Sequence, residues 1–266
     1  MVVRGARGYG PATMRKPAEM TAPFGARDVP AAEKAGLVRG VFGSVARRYD
    51  LMNDLMSGGV HRLWKAALID RLRPHAGTHV LDVAGGTGDV AFRVADAAPG
   101  ARVTVVDLSR EMVGVGRDRA IDRGLGDGGI DVDWLVGDAE ALPLKDRTVD
   151  AYTIAFGLRN VTHIERALGE ARRVLRPGGH FLCLEFSHVA VPMLGALYDR
   201  YSDAILPRLG QIVARDRDAY VYLVESIRRF PPQETLRAMV ADAGLARADV
   251  QNLSGGIAAI HSAWRL

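Results

Sequence analysis

The chain has 266 residues, 48% hydrophobic and 25% charged, enough for one generous α/β domain or a domain with appendages. Most of its +4 charge lies in residues 1–30, where Arg4, Arg7, Arg15, Lys16 and Arg27 stand against Glu19 and Asp28. The nearly neutral remainder lacks the clustered cations of a nucleic-acid-binding face. No apolar run approaches the ~18 residues of a membrane span. The single cysteine, Cys183, excludes a disulfide framework and a Cys-based metal site, so no metal is expected and a reducing, cytoplasmic setting fits.

Residues 1–30 carry Pro11, Pro17, Pro23 and Pro30 without periodicity and read as a flexible basic tail, with Met20 an alternative start. Residues 31–266 read as one domain. Two or three helices are expected over 35–73. From residue 79, β-rich runs alternate with helical patterns, the signature of a parallel sheet with crossover helices. Strands are predicted near 79–83, 102–107, 131–136, 148–155, 180–186, 246–252 and 257–264. A helix over 163–175 repeats Ile164, Ala167, Leu168, Ala171 and Val174, opens on a Thr162/Glu165 capping box and is stopped by Pro177-Gly178-Gly179. A long insertion spans 188–230, and a second helix over 233–243 ends at Gly244. Ser254-Gly255-Gly256 is short enough to join only antiparallel neighbours. The expectation is a doubly wound, seven-stranded, mostly parallel α/β sheet ending in an antiparallel hairpin.

The first strand runs into Gly85-Gly86-Thr87-Gly88 and then a helix pattern. Glycines there permit a tight turn and bring backbone N–H groups and a helix N-terminus close to a ligand. Asp107, about twenty residues past the loop, stands where an acid accepts ribose hydroxyls. Both features suit nicotinamide and adenosylmethionine cofactors alike. The third strand ends in Gly137-Asp138-Ala139-Glu140, which favours a methyltransferase, since an acid at that strand end can accept from an adenine amino group across the crevice.

Two longer motifs carry a resemblance. Tyr49-Asp50-Leu51-Met52-Asn53-Asp54-Leu55-Met56-Ser57-Gly58-Gly59-Val60-His61-Arg62-Leu63-Trp64 and Arg173-Val174-Leu175-Arg176-Pro177-Gly178-Gly179-His180-Phe181-Leu182-Cys183-Leu184-Glu185-Phe186-Ser187 resemble both signatures of the ubiquinone/menaquinone biosynthesis C-methyltransferase family (UbiE type). The likeness runs from about residue 38 to the C-terminus and includes Phe156-Gly157-Leu158-Arg159-Asn160-Val161. It implies a Rossmann-like class I methyltransferase. It also implies S-adenosyl-L-methionine as donor, a polyprenylated quinol ring carbon as acceptor, and cofactor contacts at Thr87, Asp107, Asp138 and Ala139. Ala155 departs from the Ser frequent in relatives before Phe-Gly-Leu-Arg-Asn, which removes a hydroxyl contact to the cofactor.

A quinol carbon becomes nucleophilic when a ring hydroxyl is deprotonated or polarised. Arg159 and Asn160, just past the fourth strand, are the first candidates to hold a phenolate, followed by Tyr49 and then His61 on the N-terminal helical segment, which is placed to cover the crevice. The alternatives are a loop salt bridge for Arg159 and a structural hydrogen bond for His61. In the insertion, Tyr198, Tyr201, Tyr220 and Tyr222 with Leu194, Leu197, Ile205 and Leu206 suit a polyprenyl channel or peripheral contact with the inner membrane. A core-packing cover or a dimer surface suits them equally. A nicotinamide oxidoreductase, a homodimer and a non-catalytic scaffold of a quinone-synthesis complex remain open at this level.

Overall fold

The computed structural model of the protein describes residues 20–45, 54, 57–125, 132–187 and 217–266. Strands β1 (Thr21–Phe24) and β2 (Arg27–Pro30) pair as an antiparallel hairpin and lead into α1 (Ala31–Val45) and α2 (His61–Leu72). The chain then alternates through β3 (His79–Val83), α3 (Asp89–Ala97), β4 (Arg102–Asp107), α4 (Arg110–Asp122), β5 (Val132–Val136), β6 (Val149–Ala155), α5 (Ile164–Val174) and β7 (Leu175–Phe186). It closes with α6 (Arg217–Arg228), α7 (Gln233–Asp242), β8 (Ala246–Leu253) and β9 (Ala258–Trp264).

The main sheet has seven strands in the order β5-β4-β3-β6-β7-β9-β8. Strands β3 to β7 pair in parallel, while β9 runs antiparallel to both β7 and β8. Consecutive apolar residues of a strand face opposite sides, so both faces need a cover. Val80, Val103, Val105, Leu182 and Leu184 pack with Leu68 of α2 and Val94 of α3. Leu81, Val106, Ile154 and Phe181 pack instead with Leu168 of α5 and Leu236 of α7. The result is the expected three-layer doubly wound architecture, with the Ser254–Gly256 turn joining β8 to β9.

Three local expectations need correction. The basic tail is structured from Thr21, because Glu225 Oε2 accepts the Ala26 N–H at 2.8 Å and Arg229 donates to Asp28 at 2.6 Å. Arg229 also reaches the Gly25 and Arg27 carbonyls. The capping box does not form. His163 is the N-cap residue without a side-chain bond, and Glu140 Oε1 takes the Thr162 and His163 N–H groups at 2.8 and 2.9 Å instead. Finally, the strand after α5 starts at Leu175, five residues early, because Arg265 pins this stretch. Its N–H goes to Gly179, its carbonyl takes the Gly178 N–H, and its Nη1 reaches the Leu175 carbonyl.

Close packing across α4 gives a test. A methyl group added at Gly114 would meet open space, whereas a Cβ on Gly116 would collide with the Trp134 ring. Gly114→Ala therefore raises the unfolding free energy by roughly 0.5–1 kcal/mol through helix propensity. Gly116→Ala lowers it by about 1–3 kcal/mol despite the same propensity gain. Urea denaturation reads both, and a stabilised Gly116→Ala would show that Trp134 yields.

Candidate active site

The sheet order reverses at β3, whose neighbours β4 and β6 lead away on opposite sides, and ligands of doubly wound folds bind where that reversal opens a crevice. A crevice of about 710 Å³, measured to its mouth, lies there and is lined by Gly86, Asp107, Asp138, Ala139, Phe156 and Asn160 among others. Its other wall is α1, which contributes Ala35, Val38 and Phe42. The buried Lys34 holds this helix down by donating to the Val161 carbonyl at 2.7 Å, and burial lowers its pKa to about 8.

Backbone strain gathers at the same place. Ala84 (φ 52°) and Phe156 (φ 58°), at the tips of β3 and β6, occupy the left-handed region that side chains disfavour, and both line the crevice. A Cβ on Gly157 would overlap that of Ala84, so the two tips approach as closely as a glycine allows. Gly86 (φ 57°) and Gly88 (φ 86°) turn the loop between them, and Gly88 caps α3.

Three carboxylates at this sheet edge differ in what satisfies them. Asp107 accepts the N–H groups of Gly86 at 2.9 Å and Ser109 at 2.8 Å, one on each oxygen, which leaves lone pairs for further donors. Burial pushes its pKa up to about 6, against the pull of those N–H groups. Asp82 is fully buried. Thr153 donates to its Oδ1 at 2.8 Å, but Oδ2 has no partner among the described residues, and burial raises its pKa to about 7. Asp138 sits on the crevice wall with its Oδ1 accepting the Glu140 N–H. Beside Asp82 a small cavity shares Ala84 and Phe156 with the crevice and is bounded by Lys65, Gly85, Thr87, Asp89 and Ala155. The buried Lys65 ammonium meets Asp89 there at 2.6 Å.

The structure thus brings Gly86, Asp107, Asp138, Ala139 and Asn160 together in the crevice, while Gly85 and Thr87 belong to the adjoining cavity. The Thr87 hydroxyl accepts from Arg119 at 3.0 Å. Arg159 is not on the crevice wall, although Phe156, Gly157 and Asn160 are. Its side chain is 1% exposed and paired with Glu185, also 1% exposed, so the salt bridge is an interior one rather than a loop contact at the surface. Nη1 takes all of its side-chain bonds, to both Glu185 oxygens at 3.1 and 3.0 Å and to the Phe156 carbonyl. Nε and Nη2 are buried with no hydrogen-bond partner among the described residues. His61 lines neither cavity; it is buried, and its Nε2 bonds Asp54 at 2.8 Å. Its absence from both linings and its bond to Asp54 favour the structural reading; burial and the nearby Lys65 lower its pKa. Tyr49, Asp50 and Asn53 lie outside the described residues, as do Tyr198, Tyr201, Leu194, Leu197, Ile205 and Leu206. Tyr222 of α6 is buried, not membrane-facing. Its ring packs tilted against Phe24, with centroids 4.6 Å apart, and its hydroxyl donates to Asn160 Oδ1 at 3.0 Å. Sequence reading missed Asp82, Glu185 and Tyr222 as parts of this region. The signal available for the first two was an acid set inside an apolar strand.

Residues 29–265, nearly the whole described chain, match the ubiE/COQ5 methyltransferase family. The chain belongs to that family. It is 60% identical over 246 residues to the "Ubiquinone/menaquinone biosynthesis C-methyltransferase UbiE" of Paracoccus denitrificans, covering 91% of this chain and 96% of that protein. It is 52% identical over 259 residues to the mitochondrial "2-methoxy-6-polyprenyl-1,4-benzoquinol methylase" of Arabidopsis thaliana, covering 91% and 90%. Among solved structures, a SAM-dependent methyltransferase of Thermotoga maritima superposes with a TM-score of 0.60 at 19% identity, over 86% of this chain and 100% of that one. The architecture is therefore the Rossmann-like class I methyltransferase fold. As a member of a methyltransferase family with this fold, the protein is an enzyme whose cofactor is S-adenosylmethionine, and the nicotinamide alternative falls.

The residues fit that cofactor. Two acids on the crevice wall, Asp107 and Asp138, and a buried carboxylate oxygen of Asp82 without a partner among the described residues lie along two adjoining cavities. Asp82 also yields a test on the ligand-free protein. Its folded-state pKa of about 7 exceeds the unfolded value of about 4, so its neutral form stabilises the fold below pH 4 and that contribution is lost as pH rises through 7. Asp82→Asn keeps the acceptor for Thr153 and removes the ionisation. Its melting temperature exceeds that of the wild type by roughly 5 °C at pH 8, the margin shrinking to nothing toward pH 4 in thermal scans. A margin independent of pH would mean the carboxyl is ionised throughout.

Proposed function

We propose that this enzyme methylates a ring carbon of a polyprenylated quinol in ubiquinone/menaquinone biosynthesis. The acceptor is a 2-polyprenyl-6-methoxy-1,4-benzoquinol, a demethylmenaquinol, or both. The names of the Paracoccus and Arabidopsis relatives support the acceptor class. The observation that carries the chemistry is the unpartnered Nε–Nη2 edge of Arg159. Leaving guanidinium N–H groups buried without acceptors is costly, so an edge kept in that state is built to receive an oxygen ligand. Two parallel N–H donors match an oxyanion in geometry as well as charge.

Bound S-adenosylmethionine supplies a methyl group already activated on a cationic sulfur. Asp107 would hold its ribose hydroxyls, Asp138 and Ala139 its adenine, and the Gly85-Gly86-Thr87-Gly88 loop its backbone-facing side. Asp82 would take the ammonium group of its amino-acid end, with Lys65 beside it for the carboxylate. Helix α1 excludes water above the crevice through Val38 and Phe42. On the acceptor side Arg159 stabilises the ring oxygen as a phenolate once its proton has passed to solvent, which raises electron density at the carbon to be methylated; that carbon's own C–H proton passes to solvent after transfer, restoring the aromatic ring. Asn160, on the crevice wall and oriented by Tyr222, positions the ring in line with the donor. The motif resemblance adds Tyr49 as a further acceptor contact. His61 serves to tie the segment around Asp54 to α2.

Among the described residues no helix is long and apolar enough to cross a membrane. An isoprenoid acceptor is reached from a bilayer surface, so peripheral contact of a cytoplasmic enzyme with the inner membrane belongs to the same proposal.

Binding of S-adenosylmethionine by calorimetry, competed by S-adenosylhomocysteine, tests the donor half. Mass spectrometry of quinone extracts from cells lacking the gene tests the acceptor half, by accumulation of the unmethylated precursor. Arg159→Gln lowers kcat by about 10²-fold while S-adenosylhomocysteine affinity changes less than about twofold, since Arg159 is placed on the acceptor and not on the donor. Full turnover in this variant would remove Arg159 from the chemistry.

A further inference from the structure

Glu185 lies next to the carboxyl end of β7, inside an apolar strand and fully buried. The sheet register does not require an acid there: its partner across the ladder is Ala259. Nor does Arg159 need it merely for burial, because the charge could have been avoided by an apolar pair of similar volume at little or no cost in stability. What the acid does is geometric. Its two oxygens and the Phe156 carbonyl all converge on Nη1 of Arg159. Its own position is fixed by the N–H groups of Arg159, at 3.3 Å, and Phe186, at 3.0 Å. A guanidinium has more than one face to offer, and saturating Nη1 leaves the buried Nε–Nη2 edge as the face without a hydrogen-bond partner among the described residues.

We propose that Glu185 is a positioning residue for the methyl acceptor: it selects the Arg159 edge that meets the acceptor oxygen, and its charge sets how strongly that edge attracts a developing phenolate. This rests on the acceptor reading given above. The electrostatic part follows from the net charge of the pair, which is zero when Glu185 is ionised. A bound phenolate therefore feels a dipole with its cationic side forward rather than a free positive charge. Among the described residues, the titratable groups facing the pair are Cys183 on the same strand and Tyr222 on α6. Burial pushes the Cys183 thiol up and the Tyr222 hydroxyl up to about 12, so both stay protonated in the neutral range. On β9 the titratable group is His261, opposite Cys183, and burial lowers its pKa, so it stays uncharged in the same range. Burial also raises the Glu185 carboxyl, and Arg159 opposes that shift. The 3-10 turn over Leu158–Asn160 carries no charge apart from Arg159 itself.

The test uses the purified protein saturated with S-adenosylhomocysteine and, as probe, para-nitrophenol bearing a geranyl chain ortho to the hydroxyl. Absorbance of the bound phenolate against pH gives the ionisation midpoint without turnover. Glu185→Gln keeps an acceptor for Nη1 and removes the charge, so the midpoint falls by about one pH unit or more, because an uncompensated cation favours the ionised ligand. The acidic limb of kcat/KM with quinol moves the same way. Glu185→Asp keeps the charge and withdraws the oxygens, so the midpoint holds while probe affinity drops about tenfold through lost orientation. A purely structural acid would lower the melting temperature in both variants and leave midpoint and affinity at their wild-type values, which would overturn the proposal. Should Glu185→Gln fail to fold, wild-type affinity in Glu185→Asp alone overturns it. Wild-type protein that binds S-adenosylhomocysteine but not the phenol would sink the acceptor reading itself, a distinct result.

Discussion

Desolvation of carboxylates along one edge of a parallel sheet governs this molecule. Parallel strands deliver their carboxyl ends to the same rim, and here that rim carries Asp82, Asp107, Asp138 and Glu185. Each buried acid must find donors or stay neutral. Glu185 finds a guanidinium, Asp107 finds two backbone N–H groups, and Asp82 finds one hydroxyl and is left short. The order of satisfaction is also an order of function. The fully paired acid positions a neighbour, and the half-satisfied ones retain capacity for hydroxyl or ammonium donors brought by a ligand.

The same logic explains how segments distant in sequence become one cover over the crevice. The β1–β2 hairpin has too little apolar surface to stand alone. It is held by polar bonds from Glu225 of α6 and from Arg229 just after it, and by the Phe24–Tyr222 contact. Helix α1 continues from that hairpin onto the crevice wall, and Lys34 ties it to Val161, next to Asn160. Tyr222 closes the circuit by bonding Asn160 itself. Helix α1 and the Leu158–Asn160 turn therefore share supports, so displacement of α6 disturbs both walls of the crevice at once.

What was legible in the sequence follows from the range of the interactions involved. Strand and helix positions were readable because they rest on local periodicity, and the glycine loop with Asp107 and Asp138 because doubly wound topology fixes where strand ends meet. The Glu140 cap of α5 was hidden because its carboxylate comes from more than twenty residues upstream and displaces the nearer Glu165. The ordered hairpin was hidden because its partners Glu225 and Arg229 lie about two hundred residues away. For Arg159 the motif pointed to the acceptor side, but the salt bridge weighed against that role was expected at a loop surface and lies in the interior. No local pattern announces that a glutamate on the following strand will draw the guanidinium inside. Tyr222 was grouped with the insertion's other tyrosines by composition, whereas its packing sets it against Asn160.

The Arg159–Glu185 pair also bears on how a site can hold an anion without demanding one at all times. An isolated buried arginine would carry a large desolvation cost in the absence of acceptor, and the fold would relieve it by admitting water or swinging the side chain outward. Neutralising the charge from one side removes most of that cost while leaving two oriented N–H groups on the other. Such a site meets a neutral hydroxyl with modest attraction and a phenolate with greater attraction, since the dipole acts more strongly on the charged form. On the proposed acceptor role of Arg159, the difference between those two interactions, rather than the strength of either, is what would lower the barrier to carbon methylation.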